Sequence, residues 1–526
     1  MMDTNPLAWL ARLHGPEAWG LVYLLILVPL WVGLAQGRAA ALKFFTAPIL
    51  AAPVLLVALL LITMTRQSLA QWTPRAVSPT TFEMAGLATL VLIGYLAGLA
   101  ASRRTPDITV KRGTRIEEGA AVQRASRHLS RRGALTLAGI AIPPLDETKH
   151  FKLIGTTGTG KSTAIRELLG AALRRGDRAV IADPDGGYLS QFFDEGRGDV
   201  ILNPFEPGAR AWDLFGEIRS TYDVEQLARS LIPDHEGPDR IWRSYARTFF
   251  TAVTRQLYEA GVRELAELYR LLTSASPEEL RLIVQGTPAQ PFLEEGNERM
   301  FGSIRSVTGA SLTAFEYLST QQAEPLSVRH WTRTGQGALF LPYQADQIAA
   351  LRSIISTWMR LAIFQTMSQG EGDYRLWFAV DELDALGTID GLKDALARLR
   401  KFGGRCVLGF QSIAQVSTTY GHGEAQTIVE NCGNTLILRC SASETGGTAK
   451  FASKLIGDRE VIRTHVSKSR SGGFFQDPRH SKSISEQHVT EPAVLGSEIE
   501  QLPDLAGYLK LASRPDWLQV RLRRYC

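Results

Sequence analysis

The most prominent pattern in the chain is a set of three long stretches without a charged residue in the first hundred positions. They run over Ala18–Ala35, Phe44–Thr65 and Met84–Ala101. A helix of about 20 apolar residues crosses the hydrocarbon core of a bilayer. A signal peptide has one such stretch, and a buried helix of a soluble domain is normally amphipathic. The pattern therefore predicts a transmembrane region of two or three helices over residues 1–101.

The segment that follows, residues 102–146, is strongly basic. Between Ser102 and Gly133, nine arginines and lysines stand against three acids, so the rest of a chain with net charge +5 sums to −1. Because positively charged loops stay in the cytoplasm, we expect this connector to be cytoplasmic and the loop Arg66–Glu83 to lie outside. The N-terminus is then outside if there are three spans and inside if there are two. The positive charge of this segment is compatible with three surroundings, namely solvent at an exposed face, anionic lipid headgroups or nucleic acid.

Beyond residue 147, short apolar runs alternate with segments of helical periodicity, which is typical of an α/β fold. From Asp223 to Gln322 only helical spacing recurs. We therefore predict an α/β domain over residues 147–215 and 326–526, with an all-α domain over residues 216–325 inserted into it. The predicted strands are His150–Ile154, Ala179–Asp183, Asp199–Leu202, Gly337–Tyr343, Leu376–Val380, Cys406–Phe410, Tyr508–Ala512 and Leu518–Arg524, and the predicted helices include Ser162–Arg174, Gln347–Met367 and Asp390–Phe402.

Composition adds two expectations. Thr464–Ser485 is rich in serine, glycine and basic residues, so we expect a mobile loop there. The four cysteines show no metal-binding spacing, which favours free thiols in a reducing compartment.

The clearest chemical motif is a glycine-rich loop between the first strand and the first helix of the α/β part. Its sequence is Gly155-Thr156-Thr157-Gly158-Thr159-Gly160-Lys161-Ser162, followed by Thr163. Glycines allow backbone N–H groups to surround phosphates, and the helix N-terminus adds a favourable dipole. In such a loop the lysine contacts the β- and γ-phosphates and the serine hydroxyl ligates Mg²⁺. Residues 155–163 therefore predict a P-loop site for ATP and magnesium.

Two acids directly follow the predicted strand Leu376–Val380. Asp381 is placed to hold a water of the Mg²⁺ shell, and Glu382 to accept a proton from the attacking water. Gln411, at the end of Cys406–Phe410, faces the γ-phosphate if that strand lies beside the strand of the glycine-rich loop. The alternative is that Gln411 caps the next helix.

These motifs occur together with further characteristic segments. They are VIADPDGGYLSQFF (180–193), ILNPFEPGARAWDLF (201–215), AVDELDALGTIDGL, RKFGGRCVLGFQSIAQVSTTYG (400–421) and SEIEQLPDLAGYLKL (497–511). Over about residues 145–525 the combination resembles the type IV coupling proteins of conjugation, the TraD-like family.

The resemblance implies a RecA-like P-loop ATPase domain with an inserted all-α domain, related to the FtsK and HerA DNA motors. It implies a multi-pass protein of the bacterial inner membrane, with its ATPase domain in the cytoplasm and a homo-hexameric assembly. Such a protein receives a relaxase bound to single-stranded DNA, together with other relaxosome proteins. It delivers this cargo to the inner-membrane components of a type IV secretion channel.

The resemblance also assigns roles to individual residues. Lys161 and Ser162 match the phosphate-loop positions, and Asp381 and Glu382 match the metal-supporting and water-activating acids. Gln411 matches the γ-phosphate sensor. Arg400 stands where the family places an arginine proposed to reach the nucleotide of a neighbouring subunit, although a cation at the end of a helix also stabilises the helix dipole.

Other functions remain open. A cargo receptor of the same secretion system without useful hydrolysis is one, and a chromosomal FtsK- or HerA-like DNA translocase is another. The first is disfavoured because Lys161, Ser162, Asp381 and Glu382 occur together. Half of an ABC exporter fits poorly, since no LSGGQ-like signature precedes Asp381.

Overall fold

The computed structural model describes residues 16–36, 43–49, 51, 79–102, 108–130, 133–234, 237, 239–443, 446–471 and 479–524. The chain divides into two compact units. The first comprises residues 1–109 and 463–487, and the second comprises residues 110–462 and 488–526.

The first unit contains two long helices, Pro16–Gln36 and Pro79–Ser102. They coincide with the first and third uncharged stretches of the sequence, and residues 43–49 are also helical. The two long helices approach closely at glycines, because a Cβ atom at Gly98 would overlap the carbonyl oxygen of Leu30. Side chains such as Ile26 and Leu90 are buried between them.

Across the described residues, no helix combines the length and the hydropathy that crossing a membrane requires. The second uncharged stretch, Phe44–Thr65, lies largely outside the described residues. The predicted membrane spans are thus not found among the described helices and stay a prediction from the sequence.

The second unit is built around a sheet that has ten strands within the described residues. The seven strands from Asn434–Ile437 to Val200–Ile201 run parallel. On the other side the sheet continues with two strands that pair antiparallel and then with Ile116–Glu118, which pairs parallel with the second of them. The spatial order is Ile116–Glu118, Trp517–Arg521, Ala506–Lys510, Asn434–Ile437, Phe151–Ile154, Gly404–Phe410, Leu376–Val380, Arg178–Pro184, Ala338–Tyr343 and Val200–Ile201.

Helices cover the sheet and form the insertion. The described α-helices of this unit are Gly119–Ser130, Pro144–Glu147, Lys161–Arg174, Leu189–Phe192, Thr221–Leu231, Arg240–Glu259, Leu265–Thr273, Pro277–Ile283, Glu298–Ser311, Thr313–Leu318, Val328–Thr334, Ile348–Ser368, Leu392–Leu399, Ile413–Tyr420, His422–Asn431, Gly447–Ile456 and Gly496–Glu500. Short 3-10 helices lie at Glu195–Arg197, Phe215–Glu217, Gln290–Leu293 and Arg400–Phe402. The α/β fold of the sequence prediction is confirmed.

Alternating side chains divide the core of this unit between the two faces of the sheet. In the strand Leu376–Val380, Leu376, Phe378 and Val380 belong to a large cluster that extends into the helices of the insertion. Trp377 and Ala379 belong to a second cluster, which contains the apolar face of helix Lys161–Arg174. Because both faces are covered, these strands are continuously apolar, as the sequence shows.

The helical insertion lies between two very short strands that pair with each other. Ala211–Trp212 and Pro325–Leu326 run parallel, so the chain leaves and re-enters the α/β part at one place. The described residues between Thr221 and Leu318 form helices and connecting turns. Trp212 makes edge contacts with Phe315 of the insertion and with Trp358 of helix Ile348–Ser368.

The prediction of a mobile loop over Thr464–Ser485 is wrong. Asp458–Ser471 and Arg479–Pro492 are long strands, and they form a three-stranded sheet with Ile108–Gly113. Strand hydrogen bonds are made by the backbone, so a polar composition does not exclude pairing. Residues 472–478 lie outside the described residues.

Two strands of the ten-stranded sheet are absent from the sequence prediction. Asn434–Ile437 lies directly beside the strand of the glycine-rich loop. Ile116–Glu118, in the predicted basic connector, pairs with Trp517–Gln519 at the edge of the sheet. The connector therefore contributes a strand to this sheet.

Gly409 determines how closely two central strands approach at the end of the sheet. The N–H of Leu383 donates to the carbonyl of Gly409 at 2.9 Å. A Cβ atom at Gly409 would overlap the backbone carbonyl of Asp381. The position of Asp381 therefore depends on a glycine in the neighbouring strand.

We expect Gly409→Ala to lower the free energy of unfolding by about 1–3 kcal/mol, because the added methyl group over-packs two backbones. Thermal or urea unfolding of the purified protein measures this. Gly423→Ala is the matched control, since Gly423 lies in helix His422–Asn431 with no described atom within 4 Å of an added Cβ. The free energy of unfolding of the Gly423→Ala protein should equal that of wild type or be slightly higher. Equal unfolding midpoints for Gly409→Ala and wild type would contradict this account of the strand contact.

Candidate functional site

The glycine-rich loop connects the central strand Phe151–Ile154 to helix Lys161–Arg174. Gly158 and Gly160 have φ values of +77° and +118°, a region that side chains with a Cβ rarely occupy. The loop thus lies at the carboxyl edge of the parallel strands, together with the residues that follow the neighbouring strands. Ligands of open α/β sheets bind at this edge.

Lys161 is buried beneath the loop, with its side chain folded back onto the loop backbone. Its Nζ donates to the carbonyl of Gly155 at 2.6 Å and to that of Thr156 at 3.3 Å. Burial lowers the pKa of Lys161, and the nearby carboxylates of Asp381 and Glu382 oppose that shift. The site thus holds a poorly solvated cation at the base of the loop.

Asp381 connects the loop to the adjoining strands through one carboxylate oxygen. Its Oδ2 accepts from Ser162 Oγ at 2.6 Å and from Tyr188 Oη at 2.7 Å. Its Oδ1 is buried and has no hydrogen-bond partner among the described residues. A buried oxygen without a partner is costly, and carboxylate and hydroxyl oxygens are the ligands that Mg²⁺ prefers. Ser162 and Asp381 therefore fit a magnesium site.

Tyr188 is a site residue that sequence reasoning missed. The carboxylate of Asp183, at the end of the next strand, accepts from the N–H of Tyr188 at 3.0 Å and from that of Leu189 at 2.6 Å. This fixes the turn that brings the Tyr188 hydroxyl to Asp381. Burial raises the pKa of Tyr188 well above its usual value, and the charge of Asp381 adds to the shift, so the hydroxyl stays a donor.

Asp183 itself is fully buried. Burial raises its pKa to about 6, although the backbone N–H groups of Tyr188 and Leu189 oppose the shift. The only signal for this pair in the sequence was the segment DPDGGY after an apolar strand. Had the strand order been known, an acid at the end of a strand adjacent to Leu376–Val380 would have indicated that Asp183 and Tyr188 belong to the site.

Glu382 is oriented by a short chain of hydrogen bonds from the glycine-rich loop. Thr157 Oγ1 donates to Gln411 Oε1 at 3.0 Å, and Gln411 Nε2 donates to Glu382 Oε1 at 2.8 Å. The strand Gly404–Phe410 does lie beside the loop strand. The following helix is capped by Ser412, whose Oγ accepts from Ala414 N–H at 3.2 Å. Gln411 therefore faces the site, and the alternative of a helix cap is wrong.

These residues line a cavity of about 440 Å³. The cavity also has a wall that the sequence did not predict, formed by residues near the end of the chain. Its lining comprises Thr157, Gly158, Gly160, Lys161, Ser162, Thr163, Arg166, Asp381, Glu382, Gln411, Asp504, Leu505 and Arg524.

Arg400 is not brought to this cavity within the chain. It is exposed in the 3-10 helix Arg400–Phe402, just before the start of strand Gly404–Phe410. Burial lowers the pKa of His150 to about 4, and Arg400 is near enough to add to that shift. Arg400 thus lies near the amino-terminal ends of the strands, opposite the glycine-rich loop. Its predicted contribution to a neighbouring subunit's site stays a prediction.

Comparison with known proteins agrees with this geometry. Residues 134–523 match a family described as the type IV secretion-system coupling protein DNA-binding domain. The coupling protein TraD of Escherichia coli K12 is 33% identical over 374 residues, which cover 69% of this chain and 51% of TraD. The chain thus spans about half the length of this relative.

Solved structures of the plasmid coupling protein TrwB are similar in fold. Its complex with ADP and Mg²⁺ has a TM-score of 0.68 at 32% identity, covering 79% of this chain and 95% of the solved TrwB chain. Its complex with the ATP analogue ADPNP has a TM-score of 0.69 at 32% identity, covering 80% and 95%. With most of its length matched by the family and by these structures, the chain belongs to the type IV secretion-system coupling proteins.

Proposed function

We propose that this chain is an ATP-dependent coupling protein that recruits relaxase-bound single-stranded DNA and delivers it to a type IV secretion channel during conjugation. The observation that carries the proposal is the buried Lys161 beside an Asp381 oxygen that has no partner within the described part of the chain, both at one glycine-rich loop. The TrwB structures that hold ADP with Mg²⁺ or ADPNP support the same use of this cavity.

In this proposal the glycine-rich loop is a P-loop in a RecA-like domain. Backbone N–H groups of residues 155–163 and the Nζ of Lys161 would hold the phosphates of ATP. Ser162 and Asp381 would hold Mg²⁺, which neutralises charge on the phosphate oxygens. The Lys161 ammonium is already stripped of most water, so its attraction to a phosphate is stronger than that of an exposed lysine.

Glu382 is assigned the role of general base. Burial raises its pKa above the usual value, although the hydrogen bond from Gln411 opposes the shift. A raised pKa makes the carboxylate a better proton acceptor for a water molecule. The amide of Gln411 fixes one Glu382 oxygen and, through Thr157, links it to the loop, so Gln411 is suited to sense the γ-phosphate.

A cargo receptor without useful hydrolysis is the second candidate. It would need neither an oriented Glu382 nor the bond between Gln411 and Glu382. A chromosomal DNA translocase of the FtsK or HerA type would use the same cavity, and the family match disfavours it.

We also propose location in the bacterial inner membrane with the second unit in the cytoplasm, assembly as a homo-hexamer, and relaxosome proteins as partners. The membrane location rests on the three uncharged stretches and the basic segment after them. The assembly and the partners rest on family membership.

Two substitutions should separate binding from hydrolysis. Lys161→Ala removes the buried cation, so ATP binding and turnover should both fall. Glu382→Gln keeps the shape and the contact with Gln411 but loses the base, so ATP should still bind while turnover falls by about 10² or more. Nucleotide-binding and phosphate-release assays, with and without single-stranded DNA, measure both quantities.

Glu424→Gln is a matched control for these assays, since Glu424 is exposed, pairs with Lys393 and does not line the cavity. It should behave as wild type. Wild-type turnover in Glu382→Gln would refute the proposed base, and a wild type that binds ATP without hydrolysing it would favour the receptor.

The proposed orientation predicts that Ser78 is outside the cell and that helix Gly119–Ser130 is in the cytoplasm. Single cysteines at Ser78 and at the exposed Ala121 can be labelled with a membrane-impermeant maleimide, with Cys526 replaced because the other cysteines are buried. In intact spheroplasts, Ser78→Cys should react and Ala121→Cys should react only after lysis. Labelling of Ala121→Cys before lysis would overturn the orientation.

A further inference from the structure

The wall of the cavity formed by Asp504, Leu505 and Arg524 has no role in the phosphate chemistry described above. It belongs to the turn before strand Ala506–Lys510 and to the segment after strand Trp517–Arg521. Both strands are antiparallel additions to the edge of the parallel sheet. The closing part of the chain therefore reaches the glycine-rich loop.

Leu505 is fastened to the loop by backbone hydrogen bonds. Its N–H donates to the carbonyl of Thr159 at 2.9 Å, and its carbonyl accepts from the N–H of Leu522 at 2.7 Å. Leu505 has a φ of +63°, which is unfavourable for a residue with a branched side chain. Strain of this kind persists where the surroundings hold it and is concentrated at functional sites.

The loop leaves room for this wall at Gly160. An added Cβ at Gly160 would lie 2.8 Å from Leu505 Cδ2 and 3.0 Å from Leu522 Cδ1. Because Gly160 has no Cβ atom, the turn can approach the loop closely, and Gly160 itself can adopt its positive φ. Arg524 follows Leu522 by two residues, which places it at the rim of the cavity.

Two of the three residues of this wall, Asp504 and Leu505, do not suit phosphates. Asp504 is an acid, and its carboxylate pairs with Arg439 at 2.7 Å. Leu505 is apolar. A carboxylate and an aliphatic side chain disfavour a polyphosphate, whereas an apolar surface beside a planar cation suits a ribose and a base.

Arg524 is available for such a contact. Its side chain is exposed, and it has no hydrogen bond or ion pair to another residue in the part of the chain that the structure describes. A guanidinium is planar and weakly hydrated, so it stacks on aromatic faces better than an ammonium does.

We propose that Leu505 and Arg524 bind the nucleoside part of the nucleotide, with Leu505 as an apolar contact and Arg524 stacking on the base. The inference deepens the proposed function, because it rests on nucleotide binding in this cavity. It assigns the phosphates to the glycine-rich loop and the nucleoside to the closing segment of the chain.

The test compares two ligands of the full-length protein by calorimetry in the presence of Mg²⁺. ATP carries the nucleoside, and inorganic tripolyphosphate carries a similar chain of phosphates without it. Arg524→Ala should weaken ATP binding about tenfold, which is between the values for exposed and for desolvated stacking contacts of a cation. It should leave tripolyphosphate binding unchanged, which also shows that the glycine-rich loop of the variant is intact.

Arg523→Ala is the matched control, since Arg523 is the preceding residue, is also exposed and does not line the cavity. It removes the same charge and should leave both affinities unchanged. Arg524→Lys keeps the positive charge but replaces the planar guanidinium with an ammonium, so it should weaken ATP binding as Arg524→Ala does.

Three outcomes would overturn the inference: unchanged ATP affinity in Arg524→Ala, equal loss for ATP and tripolyphosphate, or wild-type ATP affinity in Arg524→Lys. The second would assign Arg524 to the phosphates and the third would assign it a purely electrostatic role. A wild type that binds neither ligand would instead refute nucleotide binding, so failure of the proposed function is distinguishable from failure of this inference.

Discussion

One carboxylate oxygen holds the candidate site together. Asp381 Oδ2 accepts from two hydroxyls, those of Ser162 and Tyr188, which are 219 and 193 residues away in the chain. The three residues follow three different strands of the sheet, so these two bonds fix the relative positions of the strand ends. They also occupy Oδ2 and leave Oδ1 buried with no hydrogen-bond partner among the residues that the structure describes. That arrangement is unfavourable by about 1–3 kcal/mol unless a cation or water compensates it, which is why the site is suited to magnesium.

The part of the site that could be predicted from sequence follows from local patterns. A strand, a glycine-rich loop and a helix in immediate succession define where Lys161 and Ser162 lie. An apolar strand that ends in two acids places Asp381 and Glu382 at the same edge, because parallel strands share the edge where they end. Gln411 was predicted on the condition that its strand is adjacent to the loop strand, and the register between Phe410 and Ile154 satisfies that condition.

The remainder depends on contacts between distant segments that no local pattern encodes. Tyr188 reaches Asp381 only because Asp183 turns the backbone behind the neighbouring strand. Leu505 and Arg524 reach the cavity only because two antiparallel strands extend the sheet beyond Asn434–Ile437, a strand that was itself missed. At 464–471 and 479–485 the polar composition gave the wrong expectation, since the hydrogen bonds that pair strands are made by the backbone and do not require an apolar sequence pattern.

The most direct test of this account measures how Mg²⁺ changes the affinity for ADP in wild type and in Asp381→Asn. The substitution keeps the size of the side chain and an oxygen that can accept from Ser162 and Tyr188, but removes the negative charge. The account predicts that Mg²⁺ tightens ADP binding in wild type, and that Asp381→Asn loses this enhancement while its Mg²⁺-free affinity stays close to that of wild type. An Asp381→Asn protein with the full wild-type enhancement would contradict the claim that Asp381 organises the magnesium site.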